Sequence, residues 1–107
     1  GQGGGESRMN IEVIEDRVNP LLSRREVEVI IIYESGTPKR EEVREEVAKK
    51  YNVEKERVIV EKMESLFGAR KARAHIHIYD SIEYAKKYER KHILKKHGLL
   101  EEVKQAG

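Results

Sequence analysis

The sequence predicts an α+β domain: a four-stranded, mostly antiparallel sheet with packed helices, in the order strand–strand–helix–strand–strand–helix. Three observations lead there. Four stretches alternate apolar with polar residues, the period of a strand with one buried face. Two others place apolar residues four apart behind helix-start signals. The strand-like stretches also fall in two neighbouring pairs with a helix between them, as two hairpins would. A length of 107 residues suits one such domain.

Gly1 to Arg8 has no hydrophobic pattern and is half glycine, and Met9 has the position of a natural start. Residues 1–8 are therefore expected to be an expression scar or flexible leader, 9–99 a single domain and 100–107 a short tail. Asn10 to Asp16 reads as the first strand, with Ile11 and Val13 on one face and Ile14 on the other. Asn19-Pro20 marks a turn, because proline removes a backbone donor. Arg25 to Tyr33 is the clearest strand. Val27, Val29, Ile31 and Tyr33 share one face, while the other passes from Glu26 and Glu28 to Ile30 and Ile32. That change predicts a central strand covered on both sides in its second half.

Ser35-Gly36 closes this strand, and Thr37-Pro38 is expected to open a helix as N-cap and first helical residue. Val43, Val47 and Tyr51 form its narrow apolar stripe. Glu45 with Lys49 and Glu46 with Lys50 are spaced for ion pairs, and Asn52 is a natural stop. Arg57 to Met63 is a third strand, and Phe67-Gly68 ends the loop after it. In the fourth, Ala72 to Tyr79, Ala72, Ala74, Ile76 and Ile78 oppose Lys71, Arg73, His75, His77 and Tyr79. Asp80 as N-cap with Glu83 three places on predicts the last helix start, and His97-Gly98 its end.

Charged residues make up 39% of the chain and aromatics 6%, so the core must be thin and aliphatic. There is no cysteine, which excludes disulfides, thiolate metal sites and thiol catalysis. No apolar run approaches the roughly 18 residues of a membrane span. These properties predict a soluble cytoplasmic domain with no membrane partner. The net charge of +2 conceals unlike regions. Residues 1–61 hold 11 basic and 14 acidic residues, a balance of −3; residues 62–98 hold 10 and 4, a balance of +6. Segregation of that kind points to a polyanionic partner.

Catalytic patterns are weak by comparison. His75 and His77 lie on one strand face and could chelate a metal ion, but their same-face neighbours are Arg73 and Tyr79, and a cation beside the site opposes another. An exposed basic strand face is the preferred reading, with no metal and no cofactor. None of the five serines lies in a nucleophile-elbow pattern, and beyond residue 8 the glycines stand singly at element boundaries. An enzyme is not expected. The cations form a better constellation. Arg70-Lys71-Ala72-Arg73 is expected in the loop entering the fourth strand, continued along that strand by His75 and His77. Lys86, Lys87, Arg90, Lys91, Lys95 and Lys96 follow on the helix, while Arg24-Arg25 and Lys39-Arg40 extend the surface. Tyr84 and Tyr88 are expected to pack in the core, so Tyr79 alone is left to stack on bases, and phosphate contacts are favoured over base readout.

Ile78 to Lys87 (IYDSIEYAKK), followed by Lys91-His92 and His97-Gly98-Leu99, resembles the family of small-subunit ribosomal protein twenty-four. Asn19, Leu21-Leu22 and Arg24-Arg25 are similar to a second characteristic stretch, and Phe67-Gly68 to the opening of the family's basic loop. The resemblance runs from Met9 to Leu99. It implies a structural, non-catalytic component of the small ribosomal subunit, acting in translation in the cytoplasm. It implies contact with small-subunit ribosomal RNA and neighbouring ribosomal proteins, and a monomer off the ribosome. Arg70, Lys71 and Arg73 are the expected main phosphate contacts; Lys86, Lys87, Lys91, Lys95 and Lys96 support them, with Arg24 and Arg25 at the margin. A stand-alone RNA-binding or RNA-processing module using the same surface is the alternative. Two features depart from the family: its glycine-rich loop reads Ala69-Arg70-Lys71-Ala72-Arg73 here, and no proline stands near Arg90, leaving open one last helix or two. The short form, with heavy Glu, Lys and Arg use, is of the archaeal kind.

Overall fold

The computed structural model describes residues 9–34, 36–66 and 68–99. The leader, residues 100–107, Ser35 and Phe67 lie outside them. Strands β1 (Met9–Asn19), β2 (Arg24–Tyr33), β3 (Val58–Leu66) and β4 (Lys71–Tyr79) form one sheet in the order β1-β2-β4-β3, each neighbouring pair antiparallel. Helix α1 (Arg40–Tyr51) connects β2 to β3, and α2 (Ile82–Tyr88) and α3 (Lys91–Lys96) follow β4. The expected order is observed, with the last helix divided.

The first face of the sheet is aliphatic. Val27, Val29 and Ile31 from β2, Val58 and Val60 from β3, and Ala72, Ala74, Ile76 and Ile78 from β4 pack with Val43, Val47 and Ala48 of α1. Most of these side chains are wholly buried, each larger aliphatic one contributing about 1.5–3 kcal/mol. Tyr51 and Met63 close the margins, half-buried.

β2 is central, as its pattern predicts, but Ile30 and Ile32 are only half-covered. The physical reason is the reach of the C-terminal helices. α2 and α3 pack through Ala85, Ile93 and Leu94 on Ile59 and Tyr79, at the far end of the second face. Ile30 and Ile32 stand opposite Arg73 and Lys71, beyond that cover.

Several boundaries move. Pro20–Leu22 forms a 3-10 turn in which Asn19 accepts a hydrogen bond from the Leu22 N–H. α1 begins at Arg40, later than Thr37-Pro38 suggests, because Glu42 reaches back to accept from the Lys39 N–H at 2.9 Å. Its exposed pairing also differs: Lys49 meets Glu46, and Lys55 meets Glu41 and Glu45. Asn52 ends α1 in the left-handed conformation, as expected. At α2 the cap is Ser81, not Asp80; the Ser81 hydroxyl accepts from the Tyr84 N–H.

Bulges interrupt β1 between Val13 and Glu15 and β3 between Val60 and Lys62. The β3 bulge leaves Glu61 without a partner across the ladder, free to turn onto the second face.

Candidate nucleic-acid interface

The expected basic loop is a tight turn. Lys71, Ala72 and Arg73 belong to β4, leaving Arg70 in the turn with Gly68, whose positive φ suits glycine. Arg70 is exposed and donates to the Glu34 carbonyl at 2.7 Å. Lys71 is exposed and makes no ion pair among the described residues. Arg73 projects from the second face with its side chain 52% exposed, and its Nε donates to Glu28 at 2.9 Å.

The second cation group stands on the C-terminal helices. Ala85, Ile93 and Leu94 face inward, which turns Lys86, Lys87, Lys91, Lys95 and Lys96 to solvent. None of these five forms an ion pair among the described residues. Tyr88 is half-buried, but Tyr84 is 40% exposed rather than part of the core. The two rings stack at 6.1 Å, and the Lys87 ammonium lies 5.3 Å from the centre of the Tyr88 ring. The first group stands at the start of β4, a strand about 26 Å long at roughly 3.3 Å per residue, and the second on the helices that follow its other end.

Between them the strand face is not an exposed basic stripe. His77 and Tyr79 are buried, and only His75 is half-open. A polar network runs from Arg73 to Glu28, from Glu28 to His75 Nδ1 at 2.8 Å, and from His75 Nε2 to His77 Nε2 at 3.2 Å. His77 Nδ1 continues it to Glu89 at 3.0 Å. The Tyr79 hydroxyl donates to the same Glu89 oxygen and accepts from Arg24, whose Nε donates to Glu26. Arg24 is thus turned inward, 15% exposed, while Arg25 lies on the other face and bridges Asp16 at 2.8 Å. Because the two histidines meet through their Nε2 atoms, they do not present a shared pair of free lone pairs to an ion.

Glu89 also explains the divided helix. Its extended backbone ends α2, and its buried carboxylate faces His77 and Tyr79; Arg90 then caps α3. Where a proline would break the helix, an inward-turned carboxylate breaks it here. Burial of the His77 ring opposes its charge, but Glu61 and Glu89 outweigh that and raise its pKa above the ordinary value.

Two further buried residues, Arg44 and His97, bind backbone groups. Arg44, 2% exposed, lies on the apolar side of α1 and donates to the carbonyls of Val58, Lys55 and His97 and to Glu41. It joins α1 to β3 and to the end of α3. His97 accepts from the Val60 N–H through Nε2 at 2.8 Å and donates through Nδ1 to the Ile93 carbonyl at 2.7 Å. An edge-strand amide at the bulge is thereby satisfied by an imidazole, whose pKa burial pushes down. The sequence signal for Arg44 was its place one turn before Ala48, inside the buried stripe.

These observations define a class: a small antiparallel-sheet domain, covered by one helix on its first face and by two short helices on part of its second, with lysines unpaired on its terminal helices. The particular family follows from comparison. A profile of ribosomal protein S24e matches residues 9–98, and the chain belongs to that family, a family of ribosomal proteins and not of enzymes. It is 38% identical to the small ribosomal subunit protein eS24 of Archaeoglobus fulgidus, over 92% of this chain and 89% of that one. Likewise it is 39% identical to that of Methanopyrus kandleri, over 89% and 84%, and 41% identical to that of Methanothrix thermoacetophila, over 88% and 96%. The chain is of the archaeal type.

Proposed function

We propose that the chain is a structural constituent of the small ribosomal subunit that binds ribosomal RNA through two cation groups. The observation that carries the ribosomal role is the family match across nearly all described residues. The contact surface rests on chemistry. Phosphates need cations that are not already neutralised within the protein, and counterion release then supplies the affinity. Lys71, Lys86, Lys87, Lys91, Lys95 and Lys96 meet that condition. Arg70 joins them at the turn. Arg73 keeps about half its side chain open, with Glu28 fixing its direction. Arg24 and Arg25 are the weaker members, being largely covered or already bridged. Interactions of this kind fix position and register and do not read sequence. Neighbouring ribosomal proteins are the other partners, and off the particle the chain is a monomer in the cytoplasm.

Sedimentation of a cell extract tests the role: the protein should travel with the small-subunit particle, and a free pool alone would favour the stand-alone RNA-binding reading. Binding to small-subunit RNA should weaken steeply with salt. Replacing Arg70 and Arg73 together by Ala should flatten that slope, by roughly one for Arg70 and by less for Arg73, whose charge Glu28 partly neutralises. An unchanged affinity and slope would remove the turn from the interface.

A further inference from the structure

The β3 bulge, the middle of β4 and the break between α2 and α3 bring three potential metal ligands together: Glu61, His77 and Glu89. Their nearest donor atoms all lie within 4.8 Å of one another. His77 Nδ1 is 3.0 Å from Glu89 Oε1 and 3.2 Å from Glu61 Oε2. Ligands about 2.0–2.2 Å from a tetrahedral ion stand roughly 3.3–3.6 Å from each other, so little movement separates this arrangement from a coordination shell. The side chains of His77, Glu61 and Glu89 are 8%, 8% and 3% exposed.

A second observation sets the cluster apart from an ordinary ion pair. His77 Nδ1 carries at most one proton, and two carboxylate oxygens face it. Glu89 Oε1 takes that hydrogen bond, and Glu61 Oε2 is left buried with no hydrogen-bond partner among the described residues. An orphaned carboxylate oxygen costs stability. A cation placed between the three groups would satisfy it.

The surroundings have the form of an outer ligand shell. A histidine bound to metal through Nδ1 usually donates its other N–H to a fixed acceptor. His77 Nε2 meets His75 Nε2 at 3.2 Å, and His75 Nδ1 meets Glu28, so a proton on each of His77 Nε2 and His75 Nδ1 satisfies the whole relay. Glu89 accepts from the Tyr79 hydroxyl. Glu61 meets Arg90 through its other oxygen, Oε1, leaving Oε2 for the ion. Arg24, bound to Tyr79, and Arg90 are the nearby cations that oppose the site; two carboxylates balance a divalent charge between them.

We propose that Glu61, His77 and Glu89 bind a divalent transition metal ion of the zinc type, with water completing its coordination. One nitrogen and two carboxylate oxygens suit that class better than a thiolate-seeking ion. The ion ties the β3 bulge and β4 to the helix break, so its role is structural and its effect is to stabilise the position of α3.

Zinc chloride titrated calorimetrically into the full chain at neutral pH should give one site, and long-range proton–nitrogen NMR should show His77 bound through Nδ1. Glu61→Gln keeps the volume and removes the orphaned charge; it should fold and lose at least about tenfold in zinc affinity. Glu89→Gln should show the same loss, while His92→Ala, on the exposed side of α3, should bind as the parent does. Absence of saturable binding below millimolar zinc overturns the proposal. So does unchanged affinity in a folded Glu61→Gln or Glu89→Gln, a loss confined to His92→Ala, or zinc held through the Nε2 atoms of His75 and His77.

Discussion

The two faces of the sheet are stabilised by different physics. Under α1 the face is made of Val, Ile and Ala side chains, and its stability scales with area removed from water. On the opposite face, charged and aromatic groups satisfy one another along a chain from Arg73 to Arg24. A nonpolar contact survives approximate geometry, whereas a buried polar network loses stability as soon as one partner is missing. The same contrast separates cations on this molecule. Those inside the network are held by the fold, Arg73 alone keeping about half its side chain open, and those on the terminal helices are left for a partner.

The largest expected effect lies where the helices meet the edge strand. Arg44→Ala would leave three backbone carbonyls without their donor and should lower unfolding free energy by about 3–5 kcal/mol, measured by denaturant titration. A loss near that of an exposed substitution would mean the guanidinium is not what joins α1 to β3. Next come paired core variants that set one face against the other. Ile76→Ala, wholly buried, should cost about 2–5 kcal/mol, and Ile30→Ala, half-covered, about 1 kcal/mol or less. Equal losses would show that something covers the second half of β2 after all.

Within the polar face, Tyr79→Phe keeps the ring and removes the hydroxyl that joins Arg24 to Glu89. A loss of about 1–2 kcal/mol is expected, since Glu89 is left one donor short. If the variant is neutral, the network does not depend on that link. The smallest effect is a pH dependence. Burial holds the His97 pKa below its ordinary 6.5; the positive charges of Arg44 and Arg40 act with it, and the Ile93 carbonyl and Glu61 act against it. Between the folded value and 6.5 the unfolded chain binds the extra proton, so stability should fall as pH drops through that window and level off below it. His97→Gln should lose this slope in a comparison of midpoints against pH; an unchanged slope would place its origin elsewhere.

How much of this was legible in the sequence follows the same division. Period-two alternation fixed the faces of β2 and β4, because apolar burial acts residue by residue along a strand. Asn52 and His97-Gly98 were readable as helix ends, since a left-handed cap is a local property. The helix break was not: Glu89 ends α2 by turning into contact with His77 and Tyr79, and that contact is a tertiary fact. For the same reason His77 and Tyr79 read as an exposed basic face until the helices that cover them are in place. Glu61 was invisible as a site residue because only the β3 bulge aims it toward His77. The cation-rich segment 62–98 was legible as a charge balance, but its division into two separated groups required the length and direction of β4.

The central claim is that unneutralised cations, not cations in general, hold the RNA. Its most direct test compares the salt dependence of small-subunit ribosomal RNA binding for two variants. Replacing Lys86, Lys87 and Lys91 by Ala should reduce the slope of log affinity against log salt by roughly two to three, while Arg25→Ala, which removes a cation already bridged to Asp16, should change it by less than about one. Equal effects, or a slope indifferent to the lysines, would contradict the account.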